Sequence, residues 1–165
     1  MRKRPSPAIS KRNRSLFVSP KLARQIELEL GQIDILFQRH QSLFDRCLER
    51  PPDETELAAL AALLHAFYTG IENIFKRISL ERDGHVPSGE LWHSELLQTM
   101  ADPLRSAFIT EDLRLSLREY MDFRHVFRHA YTFNLRWDKM AGLVLNCHSV
   151  YQRFRAEMQN HILTR

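Results

Sequence analysis

Met121-Asp122-Phe123-Arg124-His125-Val126-Phe127-Arg128-His129-Ala130-Tyr131 is the densest mixture of base, acid, cation and aromatic in the chain. It lies inside a segment that reads as a helix. Leu113, Leu117, Tyr120, Arg124, Phe127 and Tyr131 recur at steps of four and three, the spacing of one helical face. Arg124 is the charged residue on that otherwise apolar line, and a guanidinium is costly to bury unpaired. Either its side chain snorkels to the edge, or the line faces a polar cleft or a second subunit.

Outward from this stretch the chain reads as helix after helix. Ser19-Pro20 is a cap followed by a proline at the first helical position. Leu22, Ile26, Ile33, Phe37 and Phe44 then mark a helix over about 20–49, weakened at Gly31 and ended by Pro51-Pro52. Asp53 with Glu56 three residues on is a capping box. It opens a second helix whose face is Leu57, Leu60, Leu64, Tyr68, Ile71, Phe75 and Ile78, ending near Leu80. Ser88 can cap a short third helix to about Thr99. Thr110, with Glu111 and Asp112 in the first turn, opens a fourth that carries the central stretch to about Asn134. A fifth runs from near Trp137 toward Ile162, with Met140, Leu143, Cys147, Val150, Phe154 and Met158 inward. No strand pattern interrupts these. The expectation is an all-α fold: an antiparallel bundle of four long helices plus one short helix.

A chain of 165 residues and 19.5 kDa is ample for one domain with its own core. The net charge is +4, but Arg2, Lys3, Arg4, Lys11, Arg12 and Arg14 sit in the first twenty residues with no acid among them. Removing those six of the 24 basic residues leaves 18 against 20 acidic ones, so the body is not a basic platform. Residues 1–19 therefore read as a basic, flexible tail and 20–165 as the bundle domain. Cys47 and Cys147 lack metal-like spacing and suit a reducing, cytoplasmic compartment. No apolar run of membrane-spanning length and no secretory leader is read, so no membrane partner is expected.

His125 and His129 are four apart, a spacing that can serve zinc, but a third ligand and an intervening catalytic Glu are missing and Arg128 repels a cation. The expectation is no metal and no cofactor. Acid–base chemistry on a phosphodiester suits these residues better. Cutting RNA without metal needs a base for the 2′-hydroxyl, an acid for the 5′-oxygen, and a cation for the phosphoryl charge. Histidine fills either proton role, and arginine forks onto phosphate oxygens. On a continuous helix, however, Arg124 and His129 would lie roughly 140° apart. A two-fold dimer would bring two of each into one groove. The bland alternative is a packed or surface His129 and an interhelical salt bridge at Arg124.

Arg124-x4-His129-x-Tyr131, within "FRHVFRHAYTFNLRW", resembles the signature of the HEPN superfamily and specifically of HepT-like toxins. "FYTGIENIFKRI" (67–78), with its glycine–glutamate element from Gly70 to Glu72, and "GELWHSELLQTM" (89–100) also resemble longer members of that family. The likeness covers about residues 20–160. It implies the toxin component of a type VII-like toxin–antitoxin system: a HEPN-like bundle acting as a metal-independent, homodimeric endoribonuclease on an RNA substrate. Arg124 and His129 would be catalytic, with His125 filling the motif's polar place in support. A nucleotidyltransferase antitoxin would silence it by AMP addition to Tyr131, where a bulky anion beside Arg124 and His129 would block the groove and neutralise the cation. Arg128 adds a charge where many members carry an apolar residue, and can aid RNA binding or face solvent. Glu72 and Asn73 can line the cleft opposite Arg124, where Glu72 would orient or neutralise it, or they can make ordinary interhelical hydrogen bonds. Two other readings stand beside this one. One is a non-catalytic HEPN module that docks a nucleotidyltransferase or nucleic acid. The other is a helical scaffold whose basic tail binds nucleic acid.

Overall fold

The computed structural model describes residues 18–129, 131 and 134–163. Apart from Val18 and Ser19, the expected tail lies outside the described residues. Within them the chain is helical with no strand: α1 (Pro20–Glu49), α2 (Glu54–Asp83), α3 (Trp92–Met100), a 3₁₀ turn (Pro103–Arg105), α4 (Glu111–Phe127) and α5 (Trp137–Leu163).

The caps expected from sequence form as hydrogen bonds. The Ser19 hydroxyl accepts from Leu22 N–H, Thr110 accepts from Leu113 N–H, and Asp53 and Glu56 close a reciprocal capping box. α2 runs to Asp83, a turn beyond Leu80, because Gly84 supplies the left-handed C-cap at φ 78°. α3 starts at Trp92 without a side-chain cap, so Ser88 does not open it; a turn through Gly89 at φ 100° comes first.

Ties between helix ends fix the packing. Ser19 donates to Glu81, while Arg46 and Arg50 pair with Glu56, so α1 and α2 are antiparallel. Thr110 donates to Glu157 and Tyr120 to the Leu143 carbonyl, so α4 and α5 are antiparallel. α5 closes back on α1 through the Tyr151 hydroxyl, which donates to the Leu30 carbonyl and Asp34, and through the Arg155–Asp34 ion pair. α2 is the central element and packs against α1, α3, α4 and α5. By length and composition it would pass for a membrane span, yet its apolar surface forms the core: Leu60, Leu64, Phe67, Ile71, Phe75 and Ile78 are fully buried. Cys47 and Cys147 are both buried free thiols.

α4 ends at Phe127, well short of Asn134. Leu113, Leu117 and Tyr120 are buried, but Tyr131 is 71% exposed. The apolar line runs out of core to pack on, and propensity alone does not hold a further turn. The Arg128 N–H accordingly bonds back to Arg124 and Val126 carbonyls, and His129 N–H to that of Val126 at 3.1 Å, tightening the end into a turn.

Two glycines inside helices predict opposite outcomes. A Cβ on Gly70 would stand 2.9 Å from Ile33 Cγ1, which is near the stiff, branched end of a buried side chain. Gly70→Ala should therefore lower stability by about 1 kcal/mol, overpacking exceeding the helix-propensity gain. Gly31 has nothing within 4 Å of such a Cβ, so Gly31→Ala should raise stability by up to about 1 kcal/mol. Urea unfolding of both variants reads the two signs.

The α1–α2 corner predicts a pH dependence. Hydrogen bonds from Arg50 first, then from the Asp53 backbone and Arg46, hold the Glu56 carboxyl at about 2. A folded-state value below the unfolded one means that the stabilisation is complete above about pH 4.5 and lost as pH falls toward 2. Glu56→Gln should lower the melting temperature at pH 7 and flatten its decline across that acid window, as thermal melts at stepped pH would show.

Candidate functional site

Arg124 neither snorkels to open solvent nor lies unpaired. Tyr120, one turn earlier, is buried against Phe67 of α2. The same α4 face turns Arg124 onto Glu72, whose residue is 1% exposed. The Arg124 Nη1–Glu72 Oε2 distance is 3.5 Å, and the arginine side chain retains 13% exposure. Its Nε is buried without a hydrogen-bond partner among the described residues.

Glu72 gathers two further bases. Lys76, one turn along α2, places Nζ 3.4 Å from Oε1. His93, in the first turn of α3, points Nδ1 at Oε2 in the shortest contact of the group. His93 Nδ1 also lies 3.4 Å from Arg124 Nη1. The Trp92 and His93 rings lie tilted at 30° with centroids 3.6 Å apart, and Lys76 Nζ sits 4.7 Å over the Trp92 ring. Three helices thus converge on one carboxylate, each bringing a base.

Above this cluster opens a cleft of about 250 Å³ lined by Glu90, Leu91, His93, Ser94, Arg118, Met121, Asp122, Arg124, His125 and Arg128. Arg118 is loosely paired with Asp122 at 3.8 Å, both exposed. Behind the arginines, His65 faces the Phe127 ring at 5.6 Å. Burial first, then the charges of Arg124 and Arg128, lower its pKa.

The residues singled out from sequence divide around this cleft. Arg124, His125 and Arg128 line it, and Glu72 stands beneath it paired with Arg124. Asn73 does not join them; it lines a separate groove toward α1 with Ile33, Leu36 and His65. His129 is exposed, lies past the end of α4 and is not among the lining residues. It reaches the cleft's edge through His125, the two rings meeting edge-on at 5.5 Å. Because α4 stops at Phe127, the helical angle between Arg124 and His129 no longer governs their relation. Tyr131 is exposed in the segment that follows. Among the described residues no group of three or more His, Cys, Asp or Glu side chains is arranged to hold a metal.

Sequence reasoning missed His93. It sits within the 89–100 segment, but it belongs to no motif, and only the docking of α3 across α2 and α4 brings it to Glu72. The nearest signal was indirect: Glu72 on a helix face otherwise destined for the core requires positive partners from elsewhere.

Neither the curated proteins nor the solved structures compared with the chain gave a match. A family model described as "HepT-like protein" matches residues 59–164, a span that takes in Glu72, His93 and the whole Arg124–Tyr131 stretch. Together with the all-helical bundle, that match over well more than half of the chain places the protein in the HepT-like family of the HEPN superfamily.

Proposed function

We propose that this protein is a metal-independent endoribonuclease, the toxin of a toxin–antitoxin pair, working in the cytoplasm as a homodimer. The observation that carries the reading is the cleft over Glu72, where Arg118, Arg124 and Arg128 meet the imidazoles of His93 and His125, with His129 at the rim. Guanidinium groups fork onto the non-bridging oxygens of a phosphodiester and oppose the charge that builds up there. Imidazole carries protons near neutral pH. Arg124 binds and polarises the scissile phosphate, His129 serves one of the two proton roles, and His125 supports it by holding the His129 ring edge-on. A two-fold dimer about α4 sets a second copy of the rim across the groove.

The partner in this reading is a nucleotidyltransferase antitoxin that adds AMP to Tyr131. An exposed tyrosine a few residues past Arg128 is a reachable acceptor. The adduct's phosphate would be drawn to the same arginines and occupy the RNA's place. One observation favours a second reading. Glu72 lies 3.5 Å from Arg124 and offsets part of its charge, which suits a non-catalytic module that docks the nucleotidyltransferase.

Purified protein incubated with RNA in chelator separates the two. The wild type should cut, leaving a 2′,3′-cyclic phosphate and a 5′-hydroxyl. Arg124→Lys, which keeps a charge opposite Glu72 but loses the fork, and His129→Ala should each slow cleavage by about 10²-fold or more with helical content unchanged. Uncut RNA with the wild type would leave the docking module standing. Full activity in either variant would remove that residue from the site. Intact mass after co-expression with the antitoxin should show whole AMP increments that are lost in Tyr131→Phe.

A further inference from the structure

We infer that His93, held by the buried carboxylate of Glu72, is the general base of the cleft and takes the 2′-hydroxyl proton of RNA bound at Arg124. The inference rests on the ribonuclease reading above and assigns a residue outside the motif.

The tautomer follows from the partners. Glu72 Oε2 only accepts, so the His93 nitrogen that meets it, Nδ1, carries the proton. Arginine only donates, so the 3.4 Å approach of Arg124 Nη1 to that same nitrogen is not a hydrogen bond to it. Both groups converge on Oε2, which Arg124 reaches at 3.5 Å. With Nδ1 committed, the lone pair of the neutral ring is on Nε2. This is the carboxylate–imidazole arrangement that fixes a histidine's tautomer and ring orientation for proton abstraction.

Position and rigidity fit the role. His93 lines the cleft beside Arg124 and keeps 23% of its side chain exposed. A phosphate forked by that arginine would bring its ribose to the imidazole. The ring lies tilted against Trp92 and meets Glu72 at one edge, and Glu72 is itself ion-paired with Lys76. The charged and titratable groups around it are Glu72 and Lys76 from α2, Glu90 from the approach to α3, and Arg118, Asp122, Arg124, His125 and Arg128 from α4.

The chemistry needs such a group. RNA transesterification moves two protons, and one histidine does not hold both at once. His93 Nε2 accepts the 2′-hydroxyl proton as O2′ bonds to phosphorus. The bond from phosphorus to O5′ breaks, and O5′ takes a proton from the imidazolium of His129. The products are a 2′,3′-cyclic phosphate and a 5′-hydroxyl, with His93 protonated and His129 neutral until the two exchange protons with water.

A leaving group that needs no proton separates the two histidines. Wild type, His93→Asn and His129→Ala are assayed in chelator on one RNA oligonucleotide and on its analogue with sulfur as the 5′-bridging atom. The asparagine amide of the first variant keeps a donor where Nδ1 stood, so Glu72 keeps its partner; melting curves recorded alongside check this. His93→Asn should lose about 10²-fold or more on both substrates. His129→Ala should lose as much on the oxygen substrate and return to within about tenfold of wild type on the sulfur one. Wild-type rates in a folded His93→Asn, or its rescue by sulfur, would overturn the assignment while leaving the ribonuclease reading intact. A wild type that cuts neither substrate would overturn both.

Discussion

A carboxylate enclosed by protein needs positive partners, since desolvation takes away the water that would otherwise stabilise it. Glu72 finds two cations, Lys76 on its own helix and Arg124 on α4, and a hydrogen-bond donor in His93 on α3. The arrangement around the cleft follows from that demand. α3 is only nine residues long and has no side-chain cap, so its apolar contacts through Leu96, Leu97 and Met100 and the His93–Glu72 pair hold it in place. Arg124, on a face otherwise given to core packing, is turned inward instead of out to solvent.

The cluster also explains why α2 is built as it is. Gly70 lets α1 close in on one side through Ile33, while Glu72, two residues on, faces the other side. The glycine–glutamate element thus serves two interfaces of one helix. α2 has core contacts on nearly every face, so a charged residue on it is compensated locally or not at all. The compensation falls where α3 and α4 leave the cleft between them, so that His93 and Arg124, which meet Glu72 from above, also line the cleft.

Much of this was legible in the sequence, and the parts that were not share a cause. The helices, the Ser19, Asp53 and Thr110 caps, and the inward faces of α1, α2 and α5 are local: periodicity and one-turn hydrogen bonds decide them. Arg124 in an apolar line announced a polar partner without saying which, because Glu72 lies 52 positions earlier and only packing joins them. His93 carried no local signal at all. The end of α4 was misread because no glycine or proline marks it. Helix propensity continues through Arg128 and His129, but the core does not, and tertiary packing settles where a helix stops. That difference moves His129 off the helix onto the turn at its end, with Tyr131 beyond it.

The charge of the whole chain says little about a polyanion's approach to this cleft. Excluding the first twenty residues, acids outnumber bases by two. At physiological salt, exposed charges more than about 8 Å apart are largely screened from one another. A polyanion at the α4 edge would therefore meet the local set, in which Arg118, Arg124 and Arg128 outnumber Asp122 and Glu90. Glu72 beneath them does not cancel this set, because Lys76 shares its charge with Arg124 and His93 donates to it. Burying the acid beneath the cleft and lining the cleft with arginines separates two tasks: the carboxylate organises the helices, and the cations face whatever enters the cleft.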